Sequence, residues 1–451
     1  MTKQLLLTLL FLTTLVPLGA AEESWKAGVA KAKITPSQPM WMSGFASRDR
    51  PAEGTLHDLW AKALVLEDPA GQRAVLVTLD LVGIGRELSS LICDRLQERH
   101  GLTRAQIALS TSHTHSGPIV GDLTRFIYFL DDTQEKLVDE YAAFLSNQVL
   151  AVVDAALQDV APASLQHGMG QAGFAVNRRN NTEANVPELR QGGQLQGPVD
   201  HELPVLCVQR DGACQAILFG YACHATALSL YQWSGDWPGF AQLEIEQRHP
   251  GAIAMFWAGC GADQNPLPRR TLELATDYGR QAADAVDAVL DGAMRPINGR
   301  LTTRFQEIEL AFDTLPTREQ LLETSESSNR YEAARAKLLL ERLDSQGSLP
   351  SGHPYPLQRW GIGDEICFMI LGGEVVVDYA LRIKTELAEH VVWVASYAND
   401  VLAYIPSRRV LLEGGYEGGG SMVYFGHPSI WAIDVEDRIM KAVRELNEVS
   451  R

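Results

Sequence analysis

The sequence predicts an α/β protein, a layered domain around at least one mostly parallel or mixed sheet. Three observations carry this. Short apolar runs alternate along the chain with segments of helical periodicity. Gly, Pro and Asp punctuate the joints where strand ends and helix caps are needed. The chain has 451 residues, 46% hydrophobic and 21% charged, the balance of a globular chain with ample core.

Residues 73–82 (RAVLVTLDLV) read as a buried strand, and 87–100 as a helix closed by Gly101, which tolerates the left-handed conformation of a helix end. Residues 106–111 form a second strand, and 134–160 carry long helical periodicity. Residues 203–209 and 213–221 pair as a hairpin across Asp211-Gly212. A helix over 238–247 has Pro238 in its first turn. A strand over 252–257 and a helix over 272–290 follow, then a charged helix over 318–343 with a solvated face. The pattern ends with strand 366–371, helix 375–389, strand 391–396 and helix 433–446. Residues 168–198, rich in Gly, Asn and Gln, and 345–359, rich in Gly, Ser and Pro, read as loops. No internal repeat is visible, and residues 22–451 are expected to form one domain.

The formal charge of −17 argues against nucleic acid, whose phosphates require a cationic surface. Lys3, an apolar run over 5–16 and Gly19-Ala20-Ala21 read as a secretory signal peptide cleaved near Ala21, so the protein is expected to be secreted or periplasmic. No later stretch reads as a transmembrane segment: residues 213–235 lack charge but carry Gln215, His224, Thr226 and Gln232. Six cysteines in a chain this long do not make a disulfide scaffold. Across a two-residue turn Cys214 faces Gln209, leaving Cys207 diagonal at roughly 7 Å. A bridge needs Cβ atoms about 4 Å apart, so no pairing is expected.

In α/β sheets, sites form beyond the carboxyl ends of strands. Ser112-His113-Thr114-His115 follows strand 106–111, Ala222-Cys223-His224 follows 213–221, and Gly372-Gly373-Glu374 follows 366–371. Histidines at two strand ends and a glutamate at a third are a ligand set for zinc with one open position. His113 and His115, two apart, point to one side of an extended chain and can share a pocket. Plainer readings exist for each: loop histidines bonded to backbone, a core histidine at 224, a carboxylate stabilised by a helix N-terminus at 374. Cys223 and Cys260 read as packing residues. Asp236 and Asp263 suit turns and caps. Asp80, inside a buried run, needs a partner and is expected to support a ligand histidine.

Thr111-Ser112-His113-Thr114-His115-Ser116-Gly117-Pro118 closely resembles the T-H-T-H-S-G-P motif of the neutral ceramidases. The similarity continues in order. Residues 27–36 (AGVAKAKITP) and 56–63 (LHDLWAKA) resemble that family's N-terminal segments. Val176-Asn177-Arg178 is similar to its I-N-R, 221–224 to its F-A-I-H, and Asp236 with Gly239-Phe240 to its D-N-x-G-Y. Gly373-Glu374 matches its P-G-E, Asn399 to Tyr404 its N-x-x-x-x-Y, and Tyr416-Glu417 a later Y-E. The resemblance implies a catalytic-domain fold of that type and a zinc held by His113, His224, Glu374 and Tyr404. It implies that His115, Arg178 and Tyr416 are catalytic, facing substrate or oxyanion, and that Asn177, Asp263 and Asn265 lie against the substrate. Two departures stand out. Where the family has G-D-V-S-P with a nucleophilic serine, this chain has Ala262-Asp263-Gln264-Asn265-Pro266, so Asn265 replaces the serine. The sequence also carries no counterpart of the immunoglobulin-like C-terminal domain of full-length ceramidases.

Zinc lowers the pKa of a bound water to about 7, so hydroxide on the metal can attack without a serine. The expected protein is a zinc-dependent amidohydrolase acting on an N-acyl sphingosine-like or other N-acyl bond. Its partner is a small-molecule or lipid-like acyl substrate. His115, Arg178 and Tyr416 would stabilise the oxyanion, with His115 protonating the leaving group. The alternatives are an esterase or lactonase on a small polar substrate, and a zinc- or ligand-binding relative without turnover.

Overall fold

The computed structural model describes residues 24–448. The expected signal peptide, residues 1–21, lies outside them. Three times along the chain, three antiparallel strands are followed by a helix and a fourth strand parallel to the third. The first unit is β1 (Lys26–Lys33), β2 (Trp60–Glu67), β3 (Arg73–Leu79), α1 (Arg86–His100) and β4 (Ile107–Thr111). Helix α2 (Asp132–Gln158) leads to the second: β5 (Ser164–Gln171), β6 (Glu202–Arg210), β7 (Ala213–Tyr221), α3 (Asp236–Arg248) and β8 (Ile253–Ala258). Helix α4 (Leu272–Leu290) leads to the third, which starts with β9 (Leu301–Ala311). Two helices, α5 (Arg318–Thr324) and α6 (Arg330–Gln346), are inserted before β10 (Gly352–Ile362), β11 (Ile366–Leu371), α7 (Val377–Glu386) and β12 (Val391–Ala395). Helix α8 (Val435–Glu448) follows. The helix in each unit is required, because parallel neighbours cannot be joined by a tight turn.

The three larger sheets are therefore mixed and share one strand order. Their alternation places one face of each in a common core. Leu76, Leu218, Met255, Trp257, Phe368 and Trp393, from all three sheets, form one buried cluster. The alternate residues face outward onto helices: Val75 and Val77 against α2, Phe219 against α3 and α4, Met369 and Leu371 against α7 and α8. Burying each such side chain stabilises the fold by about 1.5–3 kcal/mol. A one-residue slip would exchange the faces, so register is firmly set.

The carboxyl ends of the parallel pairs meet. Thr111 donates its amide to the Tyr397 carbonyl (3.1 Å), and Ser396 donates to Ala258 (2.8 Å). Isolated bridges join Ser110 to Ala398 and Gly259 to Ala395. All three units thus deliver their strand ends to one place. The threefold repetition corrects the expectation of no internal repeat. It resides in hydrogen bonding and alternation, which many different residues satisfy.

Other differences have local causes. The expected helix over 318–343 is two helices, because Ser325-Glu326-Ser327-Ser328 interrupts it and Asn329 caps the second through the Tyr331 amide (3.1 Å). The expected loop over 345–359 contains most of β10, whose Gly, Ser and Pro content hides a strand stabilised by pairing on both sides. Likewise 168–171 ends β5. Gly101 caps α1 at φ 69°, as expected.

Cys207 and Cys214 form a disulfide with Cα atoms 6.2 Å apart, which corrects the expectation of no pairing. The turn is the predicted one, with Arg210 opposite Ala213 and Cys214 opposite Gln209. The register then shifts between Cys214 and Ala216, a bulge that adds local twist and draws the diagonal pair together. Non-reducing peptide mapping should find this bond. Reduction should lower the unfolding free energy by about 2 kcal/mol, the loop-closure value for so short a loop. A Cys207→Ala/Cys214→Ala protein should be insensitive to reductant.

Candidate active site

The loop after β4 carries His113, which holds φ at 58°, a left-handed conformation uncommon outside glycine. Tyr397 and Asn399, after β12, also have positive φ (55° and 63°). Strained backbone of this kind persists where surrounding structure fixes it. His113 donates Nδ1–H to the Val82 carbonyl just beyond β3 (2.5 Å). His224, beyond β7, donates Nδ1–H to the Gly261 carbonyl beyond β8 (2.6 Å). Both imidazoles are thereby fixed in one tautomer, with the Nε2 lone pair aimed inward. Glu374 follows β11, and its backbone pairs in parallel with Tyr404.

These groups converge. Glu374 Oε2 lies 3.2 Å from His113 Nε2 and 3.4 Å from His224 Nε2. The Tyr404 hydroxyl is 3.3 Å from His224 Nε2, and His115 Nε2 is 3.1 Å from His113 Nε2. The ligating atoms of the three histidines all lie within 4.8 Å of one another. Glu374 Oε2 is buried without a hydrogen-bond partner, and so is His115 Nδ1. Two imidazole lone pairs and a carboxylate oxygen turned on one another, with no proton between them, fit a divalent cation. An N/O donor set of this kind suits zinc.

Burial sets the electrostatics. It pushes the His224 imidazole down to about 4, helped by the nearby Arg178 charge. It holds His115 well below its ordinary value, helped by His113 and His224. Both rings are therefore neutral near pH 7. Tyr404 is pushed up, first by burial and then by Glu374.

Arg178 bridges the centre to its surroundings. Its guanidinium donates to the Tyr404 hydroxyl (3.2 Å), to Asn265 Oδ1 (3.2 Å) and to Glu417 Oε1 (2.7 Å). It lies 5.8 Å from the ring centres of both Tyr404 and Tyr416. Burial works against its charge, but Tyr404 and Glu417 outweigh burial. Tyr416 is 46% exposed and stands at the mouth.

The structure thus brings together His113, His115, His224, Glu374, Tyr404, Arg178, Tyr416 and Asn265. Asn177 and Asp263, expected against the substrate, are fully buried and bonded to each other (3.1 Å). The Asp263 carbonyl accepts the Arg178 amide (2.8 Å), so this pair anchors the arginine. Asp263 is also pushed up to about 6 by burial. Asp236 receives the amides of Ala227, Leu228 and Trp237, the turn role expected of it. Asp80 does not support a ligand histidine: its carboxylate accepts the Trp60 amide (2.9 Å), and a backbone carbonyl supports His113 instead.

Two residues escaped sequence reasoning. Glu417, buried, binds Arg178 and also Arg179 (2.7 Å). Tyr397 lays its ring 4.3 Å from that of His113. Glu417 had a signal, adjacency to Tyr416 in the Y-E pair; Tyr397 had none.

Gly44 covers His115. A Cβ there would sit 2.5 Å from His115 Cγ, and φ is +100°. Gly44→Ala should displace the ring and lower kcat about tenfold to a hundredfold. Circular dichroism should stay unchanged while steady-state kinetics record the loss.

Fold and site define a mixed α/β protein whose strand ends assemble a buried His, Glu and Tyr centre suited to a metal. A family model described as neutral/alkaline non-lysosomal ceramidase, N-terminal, matches residues 25–259, and the chain belongs to this family. A neutral ceramidase of Pseudomonas aeruginosa is 24% identical over 503 residues, covering 93% of this chain and 72% of that protein. A neutral ceramidase of Arabidopsis thaliana is 26% identical over 290 residues, covering 62% of this chain and only 36% of that protein. The solved structure of the Pseudomonas aeruginosa neutral ceramidase matches with a TM-score of 0.72 at 19% identity, over 94% of this chain and 74% of that one. A structure titled as a ceramidase complexed with C2 gives 0.73 at 20% identity, with the same coverage of both chains. At this identity the structural likeness shows the fold.

Proposed function

We propose that this chain is a zinc-dependent amidohydrolase that cleaves the amide of an N-acyl amine into a carboxylic acid and a free amine. The observation that carries the reading is the partnerless Glu374 Oε2 facing the Nε2 atoms of His113 and His224. These three with Tyr404 would hold the ion. When bound, zinc supplies a Lewis acid and lowers the pKa of water in contact with it to about 7. Relatives named neutral ceramidases support amide hydrolysis as the reaction class.

The chain's own residues supply the rest. Arg178 offers a fixed positive charge where the carbonyl oxygen gains electrons, and Tyr416 flanks it at the mouth. As the oxygen of the attacking water bonds to the acyl carbon, His115, neutral and with Nδ1 free, would take up the proton that water loses and pass it to the departing nitrogen, so that the C–N bond breaks to leave a carboxylic acid and a neutral amine. Asn265 has no hydroxyl and cannot be acylated; its Oδ1 is engaged by Arg178, so it positions that charge.

We also place the protein outside the cytoplasm. The residues 1–21 support this, as does the Cys207–Cys214 bond, which persists in oxidising compartments. Among the described residues no helix is long and apolar enough to cross a membrane.

Metal analysis should find stoichiometric zinc in the purified or reconstituted protein. Mass spectrometry of N-acyl amine digests should show paired acid and amine. A zinc-loaded protein that releases neither from amides, yet cleaves esters, would overturn the amidohydrolase reading.

A further inference from the structure

Tyr416 lines two spaces that border the centre. On the side of His115 and Glu374 the wall is largely apolar and aromatic, with Phe45, Leu123, Ile127 and Phe425. On the other side lies an open polar chamber lined by Arg178, Arg179, Asn181, Asn265, Arg269 and Glu417. The proposed reaction divides its substrate in the same way, since acyl group and amine extend from the carbonyl in different directions. The apolar space suits an acyl group, so the amine half projects past Tyr416 into the polar chamber. The donors left free there decide what that half carries.

Most of the polar side chains in the chamber are already engaged. Arg178 directs its three nitrogens to Glu417, Asn265 and Tyr404. Arg179 donates to Glu417, to Glu413 and to the Gly414 carbonyl. Asn181 is bonded through both ends of its amide to the main chain of Asn177 and Gln196. Arg269 differs. Its Nε donates to Glu183 Oε2 (3.1 Å), but neither terminal nitrogen has a hydrogen-bond partner among the described residues. The side chain is 16% exposed, so these N–H groups are open to the chamber it lines. Asn265 has one free end as well. A guanidinium only donates, so the amide oxygen faces Arg178 and the NH2 group is left for the chamber.

The chain is acidic overall, with a formal charge of −17, but the arginines around this mouth are not fully matched by acids. Among the described residues no carboxylate pairs with Arg270, whose exposed guanidinium lies 5.6 Å from the Phe45 ring centre. Arg48, 3% exposed, is hydrogen-bonded among the described residues only to the carbonyls of His115 (2.9 Å) and Leu230 (3.0 Å). The one partner of Arg269, Glu183, is 38% exposed, where water screens it. Burial, together with the like charges of Arg270 and Arg178, outweighs Glu183 and holds the Arg269 guanidinium below its ordinary value. A carboxylate there would supply counter-charge and accept two parallel N–H bonds, the geometry in which a guanidinium binds it most strongly. We infer that the substrates are N-acyl amino acids and that Arg269 binds their free carboxylate, with the Asn265 amide as a second donor and Arg270 as a positive charge at the rim; the inference rests on the amidohydrolase reading. Water is added across the C–N bond, and the products are the acyl chain's carboxylic acid and a free amino acid.

The test compares N-lauroylglycine with N-lauroylglycinamide, which differ only in that charge, on the zinc-loaded protein. Release of lauric acid gives turnover, and calorimetry gives binding. The acid should exceed the amide in kcat/KM about tenfold to a hundredfold, chiefly through KM. The excess should shrink as salt is added. Arg269→Gln should bring the ratio close to one. Glu183→Gln, which removes the competing carboxylate, should raise it about threefold. Arg270→Gln should lower it about twofold to threefold and gives a second readout should Arg269→Gln fail to fold. Equal handling of acid and amide, or a ratio unmoved in the folded variants, overturns the carboxylate site while leaving amide hydrolysis intact. If neither compound is cleaved, yet the acid binds about tenfold more tightly than the amide and Arg269→Gln abolishes that preference, the carboxylate site is upheld and the amidohydrolase reading fails. A preference that survives Arg269→Gln but disappears when zinc is removed would place the carboxylate on the metal and overturn the role of Arg269.

Discussion

His113→Ala is expected to abolish stoichiometric zinc and to lower kcat/KM on the order of a thousandfold or more, with the fold retained. His113 is the imidazole that Val82 locks into position and that faces both Glu374 and His115. Without it, Glu374 Oε2 loses one of its two imidazole neighbours and the proposed cation site loses a fixed ligand. The structural cost is smaller. The Val82 carbonyl loses one hydrogen bond, about 1 kcal/mol. Metal analysis and thermal unfolding, read on the same sample, separate the two effects. Asn265→Ala supplies the contrast. It removes one acceptor from Arg178 but leaves Tyr404 and Glu417 to hold the arginine, so zinc should remain and the loss should stay near tenfold to a hundredfold. Equal losses in the two variants would mean that position 265 is central to the chemistry.

Glu417→Gln is expected to have the second-largest effect. Glu417 is 5% exposed and holds two guanidiniums, Arg178 through Oε1 and Arg179 through Oε2. Replacing its charge leaves Arg178, whose side chain is 20% exposed, without a carboxylate, and breaking such a partly buried pair costs up to about 3 kcal/mol. Arg179 is less affected because Glu413 remains 3.1 Å away. Arg178 should also lose its orientation towards Tyr404. Under the proposed role, in which it acts on charge that develops during the reaction, kcat should fall about a hundredfold with KM changed far less. Zinc content should stay at the wild-type level, because Glu417 touches none of the proposed ligands. A rise in KM with kcat unchanged would show that Arg178 only binds substrate. Glu417→Asp, which keeps the charge on a shorter arm, should recover part of the stability.

Much of the secondary structure was legible because it is local. Strand 366–371 and helix 272–290 were read at their observed limits, since each is an uninterrupted apolar run or a regular amphipathic pattern. The element β10 was not, because its glycines and prolines signal a loop and only pairing with β9 and β11 makes it a strand. The disulfide was missed for a related reason. The turn was read correctly, but the bulge at Gln215 is not encoded in the residues next to the cysteines. At the candidate site, His113, His224 and Glu374 could be picked out as polar residues just past strand ends. Arg178 and Tyr416 entered through motif resemblance alone, since an isolated tyrosine or arginine has no distinguishing local pattern.

The sequence by itself determined the alternation of strands and helices, the acidic charge and the order of the motifs, because these depend on neighbours within a few residues. The tertiary structure decided the threefold arrangement of the sheets, the meeting of their carboxyl ends, and the partnerless oxygen of Glu374 opposite two imidazoles. It also decided that Asn177 and Asp263 serve as an anchor for Arg178. The physical reason is one of range. Propensity and periodicity act along the chain, whereas a ligand set, a buried ion pair and a cavity wall are made by groups hundreds of residues apart, brought into contact only when three sheets bury their inner faces together.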